Sequence, residues 1–151
     1  MINNGLWKFP EQMGGKAHVG FIYLIYDRVL EKAYIGKKYY RGRGKQNKGD
    51  ELPWKTYTSS SKIVKGLIGN NPIDEFDFIV LEQYATLGAV SFAETYSLCL
   101  VEAPCSDDWL NVRVEKITWK VTERVTDRHK ERMQAVCDMM VGRSDGRYSY
   151  T

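Results

Sequence analysis

The sequence predicts an α+β domain, a small three-stranded sheet flanked by helices with a further helix at the C-terminal end. Three β-rich runs lie at residues 20–26, 33–36 and 76–82. Helix-like apolar spacing falls between the second and third runs and again after the third. A chain of 151 residues has room for one hydrophobic core and little more. The resulting order, β-β-α-β-α and then a last helix, is that of an α+β domain.

Residues 1–18 read as a loose entry segment, because Pro10 and the Gly14-Gly15 pair discourage regular structure. The run Gly-Phe-Ile-Tyr-Leu-Ile-Tyr at 20–26 is linked to Ala-Tyr-Ile-Gly at 33–36 by a short polar segment, so the two are expected to pair as an antiparallel hairpin. Residues 37–53 are glycine-rich, basic and without periodicity, which predicts a mobile loop. One of Ser59, Ser60 and Ser61 caps a helix over 62–68, with Ile63, Val64, Leu67 and Ile68 as its apolar face. Gly69-Asn70-Asn71-Pro72 then stops it. The third β-run has a continuous apolar centre, 78–81, expected to be buried on both faces.

Residues 89–103 have helical character. Leu98, Cys99, Leu100 and Val101 form an unbroken apolar run that predicts burial, and Pro104 is the expected stop. Beyond a loop at 105–108 and the segment 109–112, Val121, Val125, Val136 and Met140 with charges between them predict one amphipathic helix. Its charges, Lys120, Glu123, Arg124, Asp127, Arg128, Lys130, Glu131 and Arg132, suit a solvated face first and a contact surface second. From Gly142 onward the chain is expected to fray. Trp7, Trp109 and Trp119 read as packing residues, Trp54 stays open, and Glu82 is expected to meet solvent or an ion pair.

Hydrophobic residues make up 43% and charged residues 27% of the chain, which excludes a disordered class. No apolar run approaches the roughly 18–20 residues that a membrane span needs. No apolar stretch precedes a small-residue cleavage site, so a secretion signal is not expected and a cytoplasmic location is. Cys99, Cys105 and Cys137 form no C-x-x-C pair and suit reduced thiols. His18 and His129 are far from each other and from any cysteine pair, so structural zinc is not expected.

The net charge of +3 says little, but its distribution says more. Lys37, Lys38, Arg41, Arg43, Lys45 and Lys48 follow one another with no acid between them and with Tyr39 and Tyr40 interleaved. Such a patch suits a phosphate backbone, and a solvated basic loop is an equal alternative.

Glu94 is the most informative single residue. It is the only acid between Gln83 and Val101, one helical turn before Leu98 and two before Val101. A carboxylate along an apolar stripe is costly unless something pairs with it. The partner is a cation in a buried ion pair, a helix end, or a divalent metal; Mg²⁺ often takes just one or two protein carboxylates. Tyr23 and Tyr34 lie on the two strands of the hairpin, where packing is the ordinary reading of tyrosine and convergence of the hydroxyls is the functional one. Gly36 directly after Tyr34-Ile35 is expected to let the chain bend into the basic segment.

Phe21-Ile22-Tyr23 followed by Tyr34-Ile35-Gly36 resembles the paired signature of the GIY-YIG nucleases, with the second half matched in full. The tract 54–61, Trp-Lys-Thr-Tyr-Thr-Ser-Ser-Ser, resembles the approach to the second family helix, notably in phage-borne members. Residues 76–82 resemble the third strand, Glu94 falls where the metal-binding glutamate is expected, and Asn111 matches a late asparagine. The chain also departs from the pattern. Phe21 stands at the first glycine of the signature, and the arginine expected on the helix after Tyr-Ile-Gly has no clear counterpart. Arg41 and Arg43 compete for that role with Lys38 as the substitute, and Tyr57 takes the place of a histidine or tyrosine near the serine run.

The resemblance implies a three-stranded antiparallel sheet flanked by helices and a metal-dependent DNA endonuclease. Glu94 would hold Mg²⁺, with Mn²⁺ as the alternative. Tyr23 would be the general base, its ordinary pKa of about 10 lowered by Tyr34, Lys38 and the basic loop. Arg41 or Arg43 would clamp the phosphate, and Asn111 would orient substrate or support the site. Lys37, Lys38, Arg41, Arg43, Lys45 and Lys48 would contact DNA. The expected organisation is an N-terminal extension at 1–19, a nuclease domain at 20–114, and a C-terminal helix and tail at 115–151 packed on the same domain. DNA is the expected partner and a membrane is not; a long recognition site would require a homodimer. The rival readings are a non-catalytic nucleic-acid-binding module that keeps the nuclease fold and an interaction protein whose tyrosines and Glu94 merely pack.

Overall fold

The computed structural model describes residues 1–141; the fraying expected from Gly142 lies outside them. Three strands, β1 (Gly20–Asp27), β2 (Lys32–Tyr39) and β3 (Phe76–Tyr84), form one antiparallel sheet in the order β2-β1-β3. Helix α1 (Lys62–Asn70) follows β2, α2 (Leu87–Leu100) follows β3, and α3 (Asp127–Val141) comes last. The fold is thus the expected α+β one, with the first two strands paired as the predicted hairpin.

The period-2 alternation of β1 sorts its side chains between two cores. Ile22, Leu24 and Tyr26 face one layer, made by α2, α3 and the stretch before α3. Phe21, Tyr23 and Ile25 face the other, where Trp7, Phe9, Met13, Tyr40, Trp54 and Val64 pack. The central strand is buried along its whole length, and so is β3. At β3 the outer edge is covered by the N-terminal segment: the Lys8 N–H donates to the Phe78 carbonyl at 2.8 Å, and the Val80 N–H donates back to Lys8 at 3.1 Å. Residues 1–18, expected to be loose, contain no regular helix or strand yet bury three large side chains in this second core.

The β1–β3 ladder slips by one residue. Ile22 pairs with Glu82 but Tyr23 pairs with Val80, which leaves Leu81 as a bulged extra residue. Leu81 and Glu82 therefore lie on the same side of the sheet, and every side chain beyond them changes face. Tyr84 joins the α2–α3 core, while Gln83 turns to the other layer and accepts a hydrogen bond from the Tyr40 hydroxyl at 2.6 Å.

Helix ends follow their caps. Ser61 accepts from the Val64 N–H, Thr86 from the Ala89 N–H and Thr126 from the His129 N–H. The last cap corrects the C-terminal expectation. Val121 and Val125 do not continue a helix; residues 112–126 run without regular structure, and only from Thr126 does the chain wind up. Val125 is nonetheless buried and Val121 packs against the core, so the apolar spacing reported burial rather than helix.

Other expectations are also corrected. The strand β2 runs on to Tyr39, so Lys37 and Lys38 are strand residues and the chain does not bend at Gly36. The run 98–101 splits: Leu98 is buried, but Cys99 and Leu100 are exposed on the outer side of α2, which ends at Leu100. In α1 only Val64 is fully buried, and Ile63 is exposed. Trp119 is 45% exposed where packing is expected; Trp54, which the sequence leaves open, is buried, and Glu82 takes the ion-pair alternative, buried against Arg128. The Arg132 guanidinium is also buried, donating to the Val80 carbonyl at 2.7 Å, so α3 does not present one uniformly solvated charged face. Among the described residues, no helix is long and apolar enough to cross a membrane.

Candidate active site

A cleft of about 880 Å³ opens beside Gly36 in the middle of β2. It is lined by Tyr23, Tyr34, Lys37, Glu94, Asn111 and Arg113, and α1 closes one side with Ser61, Lys62 and Ile63. Tyr23 comes from the central strand, one strand away from the cleft. Gly36 is its cross-strand partner, and a Cβ added there would overlap the end of the Tyr23 ring and its hydroxyl. The missing side chain is thus what lets the phenol extend across β2 to the edge of the sheet. This is the local reason for glycine in Tyr34-Ile35-Gly36, in place of the expected bend.

The tyrosines form a cluster. The Tyr23 ring lies 6.3 Å from that of Tyr34 and 5.9 Å from that of Tyr57, with Trp7 at 4.9 Å behind it. Ser59 hydrogen-bonds to both Tyr23 and Tyr34. It is buried and adopts a φ of 95°, a strained value for a residue with a side chain. Burial pushes the Tyr23 hydroxyl well above its ordinary range, and Tyr57 adds to this. Tyr34 is shifted upward too, chiefly by burial, with Glu94 raising it and Arg113 opposing. The expected lowering of Tyr23 by nearby cations is therefore reversed in the protein alone.

Glu94 projects from the middle of α2. Desolvation raises its carboxyl to about 7; Lys37 opposes this and Glu115 adds to it. The Lys37 ammonium is 4.0 Å from Glu94 and makes its closer contacts elsewhere, with Glu115 at 2.5 Å and Ser91 at 3.0 Å. Glu94 also accepts a hydrogen bond from the Lys37 backbone. A desolvated carboxylate so weakly compensated, at the wall of an open cleft, fits a hard divalent cation with water and phosphate oxygens as its remaining ligands. Among the described residues, no group of three or more His, Cys, Asp or Glu side chains is placed to hold a metal.

Asn111 lines the cleft while its amide faces the strand. Its side-chain oxygen accepts from the Ile35 N–H at 2.9 Å, and its amide nitrogen donates to the Ile35 carbonyl at 2.7 Å. The amide thereby pairs with the open edge of β2 as a peptide group of a neighbouring strand would. Backbone bonds from Ala33 to Asp108 and from Leu110 to Ala33 continue that pairing.

The basic cluster does not gather at one place. Alternation along β2 sends Lys37 toward α2 and Lys38 to the opposite face, where its ammonium lies 4.4 Å from the Tyr57 ring centre. Arg41 donates to the Gly14 carbonyl at 3.3 Å. Arg43 stacks over Tyr39 at 4.8 Å and lines a different cleft, and Lys45 and Lys48 are exposed in the loop beyond. The cations lining the cleft of Glu94 are Lys37, Lys62 and Arg113. Arg113, Lys62 and Glu115 are not marked as site residues by the sequence, and Ser59 enters there only as a candidate helix cap. Arg113 and Glu115 lie in a stretch without periodicity, Lys62 is a polar residue at the start of a predicted helix, and the one available signal is that Arg113 follows Asn111 by two residues.

The family model described as "Putative endonuclease segE, GIY-YIG domain" matches residues 7–114. No curated protein and no solved structure matches the chain. The matched span contains every residue named in the cleft except Glu115.

Proposed function

Since the chain belongs to the GIY-YIG endonuclease family, whose substrate is nucleic acid, we propose that it is a divalent-metal-dependent DNA endonuclease cutting in the cleft of Tyr23, Tyr34 and Glu94. The observation that carries this reading is the convergence of a desolvated carboxylate, two linked tyrosines and two otherwise differently placed cations, Lys37 and Arg113, on one open cleft.

Glu94 is the residue to hold Mg²⁺, or Mn²⁺ in its place. A bound divalent cation supplies charge stabilisation to the phosphate and the leaving oxygen. The protein's own groups do the rest. Arg113 and Lys37 neutralise the phosphate oxygens, Arg113 through a planar fork that suits them. Lys62, at the open start of α1, extends the positive wall. Tyr23, or Tyr34 through their shared Ser59, takes the proton of the attacking water. A tyrosine with a raised pKa is mostly protonated at neutral pH, but the fraction ionised is a strong base. Asn111 keeps the edge of β2 closed and so fixes Tyr34 and Gly36. Lys38 and Tyr57 buttress Tyr23 from behind. Arg41, Lys45 and Lys48 lie outside this cleft, where they meet only more distant phosphates.

Nicking of supercoiled plasmid with Mg²⁺ is the test, comparing wild type with Glu94→Ala, Tyr23→Phe and Arg113→Ala. The expected result is loss of nicking in the first two and a reduction of roughly tenfold to a hundredfold in the third, the range for a charge-assisted contact of about 1.5–3 kcal/mol. Equal cleavage by all four proteins would sink the mechanism. DNA binding without cleavage by wild type would favour the binding-module reading.

A further inference from the structure

A second cleft, of about 330 Å³, opens on the same helix one turn before Glu94, around Gly88 and Ser91. Tyr39, Arg43, Trp119 and Lys120 line it, and its lining contains no acid. The two clefts are joined through Ser91, whose hydroxyl accepts from Lys37 at 3.0 Å and lies 3.2 Å from the Tyr39 hydroxyl.

Trp119 is the unusual component. It is the one tryptophan of the four that is exposed, and it is nevertheless seated. The edge of its indole rests against Gly88, where an added Cβ would stand 2.8 Å from Nε1. Beside it the Arg43 guanidinium lies 4.8 Å over the Tyr39 ring, and Lys120 is exposed. Accessible aromatic surface and two cations lining one cleft is the composition that binds nucleotides through stacking and charge. Bases within a duplex offer their edges and not their faces, so such a cleft favours an unpaired base.

We propose that this cleft holds an unpaired nucleotide of the DNA strand continuing from the scissile phosphate, with Trp119 stacking on the base and Arg43 and Lys120 at its phosphates. The proposal rests on reading the first cleft as the site of DNA cleavage, and it makes DNA with a single-stranded segment the preferred substrate over blunt duplex.

Fluorescence anisotropy without metal measures this on labelled duplexes that are either blunt or carry an overhang of about five nucleotides. Wild type is expected to bind the overhang form more tightly. Trp119→Ala is expected to lose that preference by roughly tenfold to a hundredfold, the range for one base–aromatic stack. Gly88→Ala, which keeps the indole but displaces it and suits a helix, is expected to show the same loss. Lys120→Ala should weaken binding of both forms and make the salt dependence shallower by about one unit of slope. Equal binding of blunt and overhang DNA by wild type, or an unchanged preference in Trp119→Ala, overturns the proposal. Plasmid nicking separates the two readings. A chain that nicks without an overhang preference loses only this proposal, and one that shows the preference without ever nicking loses only the catalytic reading.

Discussion

Two residues define what the cleft tolerates. Gly36 leaves no room for a methyl group against Tyr23, so Gly36→Ala is expected to destabilise the fold by about 1–3 kcal/mol and to displace the phenol. Urea denaturation measures the first effect, and a nicking defect larger than the stability loss explains measures the second. Glu94 sets the pH behaviour. Its folded pKa of about 7 lies above the ordinary 4.5. Between those values the folded chain binds more protons than the unfolded one, so this group's contribution to stability falls as pH rises through that window. Glu94→Gln removes the cost and is expected to raise stability at pH 8 by about 1–3 kcal/mol while abolishing nicking. Activity in wild type should fall as pH drops below about 7, as Glu94 protonates, and rise into the alkaline range as a tyrosine with a raised pKa ionises. A pH–rate profile from 5.5 to 10 checks both limbs, and Tyr23→Phe should lack the alkaline one if Tyr23 is the base.

At the scale of elements, two side-chain devices hold the layers. The Asn111 amide stands in for a strand at the edge of β2. Asn111→Ala strips partners from a buried N–H and carbonyl and is expected to cost about 2–4 kcal/mol, visible as a lowered Tm together with faster hydrogen exchange at Ile35. The other device ties α3 to α2 and β3. The Ser97 hydroxyl donates to the Ala93 carbonyl at 2.7 Å, so His129 Nε2 must donate to Ser97, and Nδ1 is left to accept from the Tyr84 hydroxyl at 2.9 Å. Burial lowers this histidine to about 3 from 6.5. Its share of stability is complete above pH 6.5 and is lost as pH falls, by up to about 1.4 kcal/mol per unit. Denaturation at pH 6.5, 5.5 and 4.5 should show this slope, and His129→Gln should flatten it. Neither device was readable beforehand. Strands and helices announce themselves through apolar period, which is why β1, β3 and α2 were visible in the sequence. A polar side chain that substitutes for a peptide group leaves no period, so Asn111 was identified through resemblance and His129 was passed over.

For the whole molecule, residues distant in sequence close on one face. Arg128 of α3 pairs with Glu82 at 2.8 Å and with Glu11 at 2.9 Å, and Arg132 donates to the Val80 and Lys8 carbonyls. With Trp7, Phe9 and Met13 in the core behind Tyr23, the first 13 residues are expected to be needed for folding. Deleting them should abolish the cooperative thermal transition, since each buried side chain of this size accounts for about 1.5–3 kcal/mol. The sequence placed Tyr23, Tyr34 and Glu94 on elements that do converge. It could not distribute the cations, because one continuous basic run in the chain is divided in space by the strand it begins on and the loop it ends in.

The extra residue at Leu81 has a consequence for how this chain can vary. Replacing Leu81 with another apolar residue changes packing at one point. Pairing Leu81 regularly at the present length would exchange the faces of Gln83 and Tyr84, taking Tyr84 from His129 and Gln83 from Tyr40 together, whereas removing Leu81 would restore a regular ladder with both on their present faces. The bulge thus absorbs one extra residue in β3, and a chain shorter by that one residue is expected to keep both contacts.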